Sequence, residues 1–117
     1  MKLPTEKQCL DYFTRYNVPK NIFAHCLKVR EVSVFLAARL MQSGIKIDQN
    51  FVSCLSLSHD LFKAVSLKTL EPNKFHKYRF SAEEIATRKS LREKYPGKHE
   101  GEIAYEVFRE EYPEFAL

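Results

Sequence analysis

Apolar side chains recur every three or four residues along most of the chain, which is the spacing of helices with one buried face. This pattern predicts five helices and no strand. The first helix runs from about Thr5, a suitable N-cap residue, to Tyr16. Leu10 and Phe13 share its apolar face, and the stretch Asn17–Pro19 ends it because proline cannot continue a helix.

The second predicted helix opens near Pro19 and runs to Ser43, with Gly44 as its C-terminal stop. Its apolar stripe, expected to face the core, consists of Ile22, Cys26, Val29, Ser33, Leu36 and Leu40. A third helix begins after Asp48, another good N-cap residue. The inward face predicted for this third helix consists of Phe51, Val52, Leu55, His59 and Phe62.

Helical periodicity fades between Ser66 and Phe80, and this stretch is predicted to be a loop. It contains a basic and aromatic string, Lys74–Phe80, in which His76 is the histidine. Such a string is typical of a solvated loop, of a lid, or of a surface on which a nucleotide base stacks. Its aromatic residues could equally pack back onto the core.

Two further helices and the start of a sixth follow. The fourth, Ser81 to about Lys94, opens with the capping box Ser81–Glu84. The fifth runs from about Lys98 to Glu111, and the segment Tyr112–Leu117 begins a sixth. Because natural domains seldom stop one turn into an apolar helix, residues 1–117 are expected to be a single domain that is incomplete at its C-terminus.

Composition narrows the class of protein. A length of 117 residues with 44% hydrophobic and 29% charged residues fits one folded domain. The three cysteines are widely spaced among apolar residues, which favours buried, reduced thiols over a disulfide framework or a zinc cluster. Neither a membrane-spanning run nor a secretory signal is visible, so a cytoplasmic protein without membrane contact is expected.

The net charge of +4 suits a site for small anions, whereas the lack of a long Lys/Arg block gives little indication of nucleic-acid binding.

The adjacent pair His59-Asp60 is the strongest chemical signal, because it lies in an otherwise apolar segment. A buried carboxylate without a partner costs several kcal/mol, and a divalent cation would remove that cost. His25 lies 34 residues earlier (59 − 25), near the start of the preceding helix. If the two helices are antiparallel, His25 comes close to the pair.

Two imidazoles and one carboxylate form a ligand set for Mn, Fe, Co, Ni or Zn. Such a metal would lower the pKa of a bound water.

The arrangement resembles the HD-domain metal-dependent phosphohydrolases: an early histidine, a His-Asp doublet on the next helix, and helices around them. It is most similar to the subgroup whose doublet is followed by Ile-Gly-Lys. Here the doublet is followed by Leu61-Phe62-Lys63, so the lysine matches and the glycine does not. Lys98–Ala104 is loosely similar to a later histidine-containing helix of the family, and the resemblance covers about residues 20 to 117.

The resemblance implies an HD-type all-α bundle that uses a divalent metal, Mg included, to hydrolyse a phosphomonoester or phosphodiester, with a nucleotide as the expected substrate. It implies that His25, His59 and Asp60 are metal ligands and that Asp60 also orients the attacking water. By the same resemblance, Lys63 neutralises phosphate oxygens, and His99 binds phosphate, moves a proton or joins a second metal.

The family's last metal ligand is an aspartate on a late helix, and this chain has no aspartate after Asp60. The fourth protein ligand is therefore either missing or replaced by a glutamate such as Glu100 or Glu102.

Other interpretations remain open. The domain could be a degenerate relative that binds a metal or nucleotide for regulation without turnover, or a helical interaction domain in which the doublet is accidental. His25 alone is more often an ordinary helix histidine, and Lys63 would be favourable near a helix C-terminus without any ligand. His99 lies at a helix start, where the free N-terminus itself attracts anions.

Overall fold

The computed structural model describes residues 3–67 and 78–116 of the chain. These residues form seven α-helices and no strand, which confirms the all-α prediction. The helices are α1 (Glu6–Arg15), α2 (Lys20–Gln42), α3 (Gln49–Ser58), α4 (Lys63–Ser66), α5 (Ala82–Lys94), α6 (Glu100–Phe108) and α7 (Pro113–Ala116).

The five longer helices correspond to the five that the apolar pattern predicts, and α7 is the beginning of the sixth. The one-turn helix α4 was not predicted, because four residues are too short to show a helical period. Residues 78–80 are not helical, as expected for the end of the predicted loop. Most of the basic and aromatic string, including His76, lies outside the described residues.

The predicted helix starts are confirmed by their side-chain caps. Thr5 accepts a hydrogen bond from the backbone N–H of Gln8, and Asp48 accepts one from Phe51 at 3.1 Å. Ser81 and Glu84 form the reciprocal bonds of a capping box. At the end of α2, Gly44 adopts a φ of +92°, a conformation that glycine tolerates without strain.

The core lies between α1, α2 and α3 and extends to α6 and α7. The side chains of Cys9, Cys26, Cys54, Leu57 and Ile103 are fully shielded from solvent. Phe115 of α7 meets Phe108 of α6 edge to face, with ring centroids 5.6 Å apart. The short α7 is therefore packed into the core rather than lying on the surface.

The predicted apolar stripe of α2 is wrong in its second half. Ile22 and Cys26 are buried as expected, but Leu36 and Leu40 are 54% and 46% exposed. The reason is length: α2 has 23 residues and α3, against which it packs, has only 10. At 1.5 Å per residue, α2 extends about 20 Å beyond what α3 can cover.

The predicted inward face of α3 is also partly wrong. Leu55 is 43% exposed, whereas Cys54 and Leu57 are fully buried. The face that meets the core is therefore rotated by one residue from the predicted one, toward the small residues Ser53, Ser56 and Ser58. These serines are buried, and their polarity concealed the true face in the sequence pattern.

All three cysteines are free and buried, which agrees with the prediction of reduced core thiols. The Cys54 thiol donates to the carbonyl of Pro4 at 3.1 Å. Burial raises the pKa of the Cys54 thiol to about 12.

Because of this raised pKa, the free energy of unfolding falls as the pH rises through the alkaline range. In the unfolded chain a thiol ionises near pH 8.5, so above this pH the unfolded state binds fewer protons than the folded state. The buried Cys54 thiol therefore makes its full contribution to the free energy of unfolding below about pH 8.5. This contribution is lost as the pH rises toward the pKa of about 12 in the folded protein. We expect urea denaturation to show the contribution of Cys54 as a fall of about 1 kcal/mol per pH unit above pH 9, to which Cys26, with its pKa raised to about 11, adds a similar fall. A Cys54→Ala variant should lose a clear part of this slope, and an unchanged slope would contradict the assignment.

Candidate metal centre

The candidate ligands come from two neighbouring helices and the turn that follows the second. His25 lies in the second turn of α2. His59 and Asp60 were predicted late in the third helix, but α3 ends at Ser58 and the pair lies in the turn just beyond it. A carboxylate is unfavourable inside the last turn of a helix, because the carbonyl ends carry partial negative charge. Lys63 is the first residue of α4.

Three side chains converge at this turn. Asp60 Oδ2 lies 3.2 Å from His25 Nε2 and 3.3 Å from His59 Nε2. The two imidazole rings are 5.4 Å apart between centroids, and the candidate ligand atoms of all three residues lie within 4.8 Å of one another. The His25 side chain is 53% exposed, so it borders an open cleft rather than the core.

The hydrogen bond on the far side of His59 determines what this arrangement can bind. Nδ1 of His59 lies 2.6 Å from the carbonyl oxygen of Ser56. A carbonyl oxygen only accepts, so Nδ1 must carry a proton and donate it. A neutral His59 then has a lone pair on Nε2, the atom that lies 3.3 Å from the Asp60 carboxylate.

Two acceptors in contact repel each other unless something positive lies between them. Either a second proton on His59 or a cation shared with Asp60 satisfies both atoms. A histidine that donates one ring N–H to a backbone carbonyl and offers the other nitrogen to a cleft has the orientation found in metal sites. The hydrogen bond from His59 to the Ser56 carbonyl could not be predicted from the sequence. It comes from the turn geometry at the end of α3, for which the sequence carries no signal.

The separations fit a shared cation. With bonds of about 2.1 Å from metal to ligand, ligand atoms 3.2–3.3 Å apart subtend an angle of about 100° at the metal. That value lies between the tetrahedral and octahedral ideals of about 109° and 90°. The two contacts of Asp60 therefore fit a divalent cation, and the ligand atoms of the two histidines lie within 4.8 Å of each other, against a limit of about 4.2 Å for two ligands of one ion. The chemistry of two nitrogens and one oxygen suits the first-row metals.

A cavity of about 300 Å³ opens beside His25 and Asp60. His25, Asp60 and Lys63 line one part of it, and apolar side chains line much of the remainder. The other lining residues are Asn21, Ile22, Leu67 and Phe80. This volume is at the lower end of the range for small-molecule sites.

Lys63 connects the cavity to the start of α6. Its Nζ lies 3.5 Å from Glu100 Oε1, and the other oxygen of Glu100 is buried without a hydrogen-bond partner among the described residues. The backbone N–H of Glu100 donates to Ser66 at 3.2 Å, which holds α6 against α4.

His99 lies apart from the three-residue cluster. It is the N-cap of α6, where its Nδ1 accepts a hydrogen bond from the backbone N–H of Gly101 at 3.1 Å. Its Nε2 is 3.9 Å from Glu100, so its connection to the cavity runs through Glu100 and Lys63. Glu102 accepts from the His99 backbone N–H at 3.2 Å as part of the cap. Within the described part of the chain, neither His99, Glu100 nor Glu102 belongs to the ligand cluster.

Cys26 follows His25 in sequence, and its buried position disfavours the thiolate form. Burial and the negative charge of Asp60 raise the pKa of the Cys26 thiol to about 11. The side chain is fully buried, so it packs as an apolar group beneath the centre.

Two arginines of α5 hold the turn that carries Lys63. Arg88 donates to the carbonyls of Ala64 and Leu67 at 2.9 and 2.7 Å, and Arg92 donates to that of Val65 at 3.0 Å. Hydrogen bonds from charged donors contribute about 1.5–3 kcal/mol each, so the position of α4 depends on them. Their four-residue spacing was visible in the sequence, but the backbone oxygens they bind were not.

Comparison of the chain with protein-family models, characterised proteins and solved structures gave no match. Within residues 3–67 and 78–116, no helix is both long enough and apolar enough to cross a membrane. Functional interpretation therefore depends on the chemistry of the residues themselves.

Proposed function

We propose that the protein is a metal-dependent hydrolase of phosphomonoesters or phosphodiesters, with a nucleotide as the substrate class. The observation that carries the proposal is the orientation of His59, whose Nδ1 donates to Ser56 while its Nε2 faces the Asp60 carboxylate. The similarity to HD-domain phosphohydrolases in the sequence supports the same function.

In this proposal His25, His59 and Asp60 hold one divalent cation between α2 and the turn after α3. When bound, such a cation supplies a water acidic enough to act as a nucleophile near neutral pH. Asp60 would hold the cation and would also orient the attacking water through its carboxylate. His59 keeps its orientation because the Ser56 carbonyl fixes the ring.

In this proposal Lys63, which lies 3.5 Å from Glu100, binds the substrate phosphate. Its ammonium group borders the cavity, where it can neutralise the charge that builds on the phosphoryl oxygens in the transition state. The apolar part of the cavity, formed by Ile22, Leu67 and Phe80, offers a surface for a nucleobase.

Metal titration followed by a hydrolysis assay tests the proposal. The protein is stripped with a chelator, titrated with Mn²⁺, Ni²⁺ or Zn²⁺ by calorimetry, and then assayed with p-nitrophenyl phosphate and bis-p-nitrophenyl phosphate. We expect one cation per chain and turnover of at least one ester that requires the cation. Binding without turnover would favour the degenerate regulatory domain, and no binding of any cation would favour the helical interaction domain.

Replacing Lys63 separates substrate binding from metal binding. We expect Lys63→Ala to lower kcat/KM for the phosphate ester by about 10²-fold, because a positive charge that meets the transition-state phosphate is lost. The cation affinity measured by calorimetry should change by less than about threefold, since Lys63 is not a ligand. Lys89→Ala, an exposed lysine on α5, is the matched control and should change neither quantity. A kcat/KM unchanged in Lys63→Ala would remove this residue from the site.

A further inference from the structure

The second half of α2 leaves a large apolar area in contact with solvent. Five large apolar side chains in ten residues are each between 42% and 60% exposed: Val32, Phe35, Leu36, Leu40 and Met41. Ala37 is the residue of this segment that is buried. A helix that is apolar on several sides is normally buried on several sides, and α3 covers only one.

The overall dimensions show the same projection. The radius of gyration is 15.4 Å, whereas a compact domain of this length has a value of about 13.4 Å. The longest dimension is 46 Å and the shortest is 22 Å. Among the described residues, α2 extends beyond α3, its main packing partner, in keeping with this elongated shape.

The exposed apolar area of α2 can be compared with that of known interfaces. Taking roughly 200 Å² for a large apolar residue, the five exposed fractions correspond to about 450–500 Å² of apolar surface. A standard interface buries about 800 Å² on each partner, of which about 56–65% is non-polar, or roughly 450–520 Å². At 100° per residue, Val32 and Leu36 project within about 100° of Phe35, whereas Leu40 and Met41 project about 140° and 120° away from it. The face around Phe35 therefore supplies about 320 Å² of apolar surface, which suits a small interface of weak affinity.

We propose that the second half of α2 is a homodimer interface, in which α2 packs antiparallel against α2 of a second copy around Phe35. Phe35 is the most exposed apolar side chain of the segment. Glu31 precedes it by four residues and Arg39 follows it by four, so both flank Phe35 on the same helix face. A two-fold axis at Phe35 places Glu31 of each copy level with Arg39 of the other, because the two positions are equally distant from residue 35.

The charges along this face are complementary in that register. Glu31 and Arg39 are both exposed, and the Arg39 guanidinium lies 5.8 Å from the centre of the Phe35 ring, at the rim of the apolar area. Lys28, one turn before Glu31, becomes level with the neutral Gln42 of the second copy. Opposite charges therefore meet twice across the axis. Glu31 also lies 3.8 Å from Lys28 of its own helix, so each end of the contact would be an exposed network of Lys28, Glu31 and Arg39 of the second copy.

Charge exchange tests both the interface and its register. Sedimentation equilibrium of the full chain between about 1 and 100 µM, the range in which interfaces of this size associate, should show a dimer. Phe35→Glu, Glu31→Arg and Arg39→Glu should each raise the dimer dissociation constant at least tenfold. The double variant Glu31→Arg/Arg39→Glu should return to within about threefold of the original value, because it restores opposite charges.

Two measurements keep the result unambiguous. Circular dichroism and thermal unfolding of each variant confirm folding, which exposed substitutions should leave intact. Ile85→Glu, at a 45% exposed apolar position on α5, is the matched control and should not change the association. A monomer throughout the concentration range would overturn the proposal and leave the face to a different partner. A dimer that Phe35→Glu does not weaken, or a double variant that fails to recover, would overturn it as well.

Discussion

His59→Ala is expected to abolish metal retention while leaving the helical fold in place. The substitution removes one of the two proposed nitrogen ligands and the ring that Ser56 orients, so we expect the affinity for Mn²⁺ or Ni²⁺ to fall by at least about 10²-fold. The His59 side chain is partly exposed and lies beyond the end of α3, so its loss leaves no large cavity in the core. Calorimetric titration measures the affinity, and circular dichroism measures the helix content.

His99→Ala is the matched control for this result. His99 is a histidine at a helix start but lies outside the ligand cluster, so this variant should keep the cation affinity of the unmodified protein. If His59→Ala instead lost helical structure, and the unmodified protein bound no cation, His59 would be a structural residue and the metal proposal would be wrong.

Leu57→Ala is expected to cause the largest loss of stability among single changes in α3. Leu57 is fully buried in the core. Truncating a fully buried leucine removes apolar contacts and leaves a cavity, which costs about 2–5 kcal/mol. For a domain of this size that corresponds to a fall in Tm of about 10–20 °C, measurable by thermal unfolding.

Leu55→Ala gives the same chemical change two residues away. Leu55 is 43% exposed, so we expect a loss below about 1 kcal/mol. Equal losses in the two variants would show that α3 is rotated differently against the core. That would also move His59, four residues from Leu55, away from the cleft.

The sequence could predict the helices because their signals are local. Thr5, Asp48 and Ser81 each cap a helix by bonding to a backbone N–H three residues later, and that spacing can be recognised in the chain itself. Gly44 marks the end of α2 for the same kind of reason. The one-turn α4 gave no such signal, and its position depends on Arg88, 24 residues later than Ala64.

From the sequence, the residues of the candidate site could be predicted, but their arrangement could not. His25, His59 and Asp60 were recognisable as a ligand set, and the structure brings them together. The turn that holds the doublet and the Ser56 carbonyl that orients His59 depend on where α3 ends, which propensity locates poorly. The exposure of Leu36 and Leu40 depends on how long the neighbouring helix is, a tertiary property that the apolar period of α2 does not contain.

The position of the centre would make a bound cation a cross-link. His25 and Asp60 are 35 residues apart (60 − 25), and their contact joins the first turns of α2 to the turn beyond α3. A cation at this point would close that loop in the folded state, as a disulfide does, and bind the unfolded chain only weakly. At a free concentration of about 100 times its Kd it would add about 2.7 kcal/mol to the free energy of unfolding. Chelation would then lower Tm, so thermal unfolding would report occupancy of the centre without any substrate.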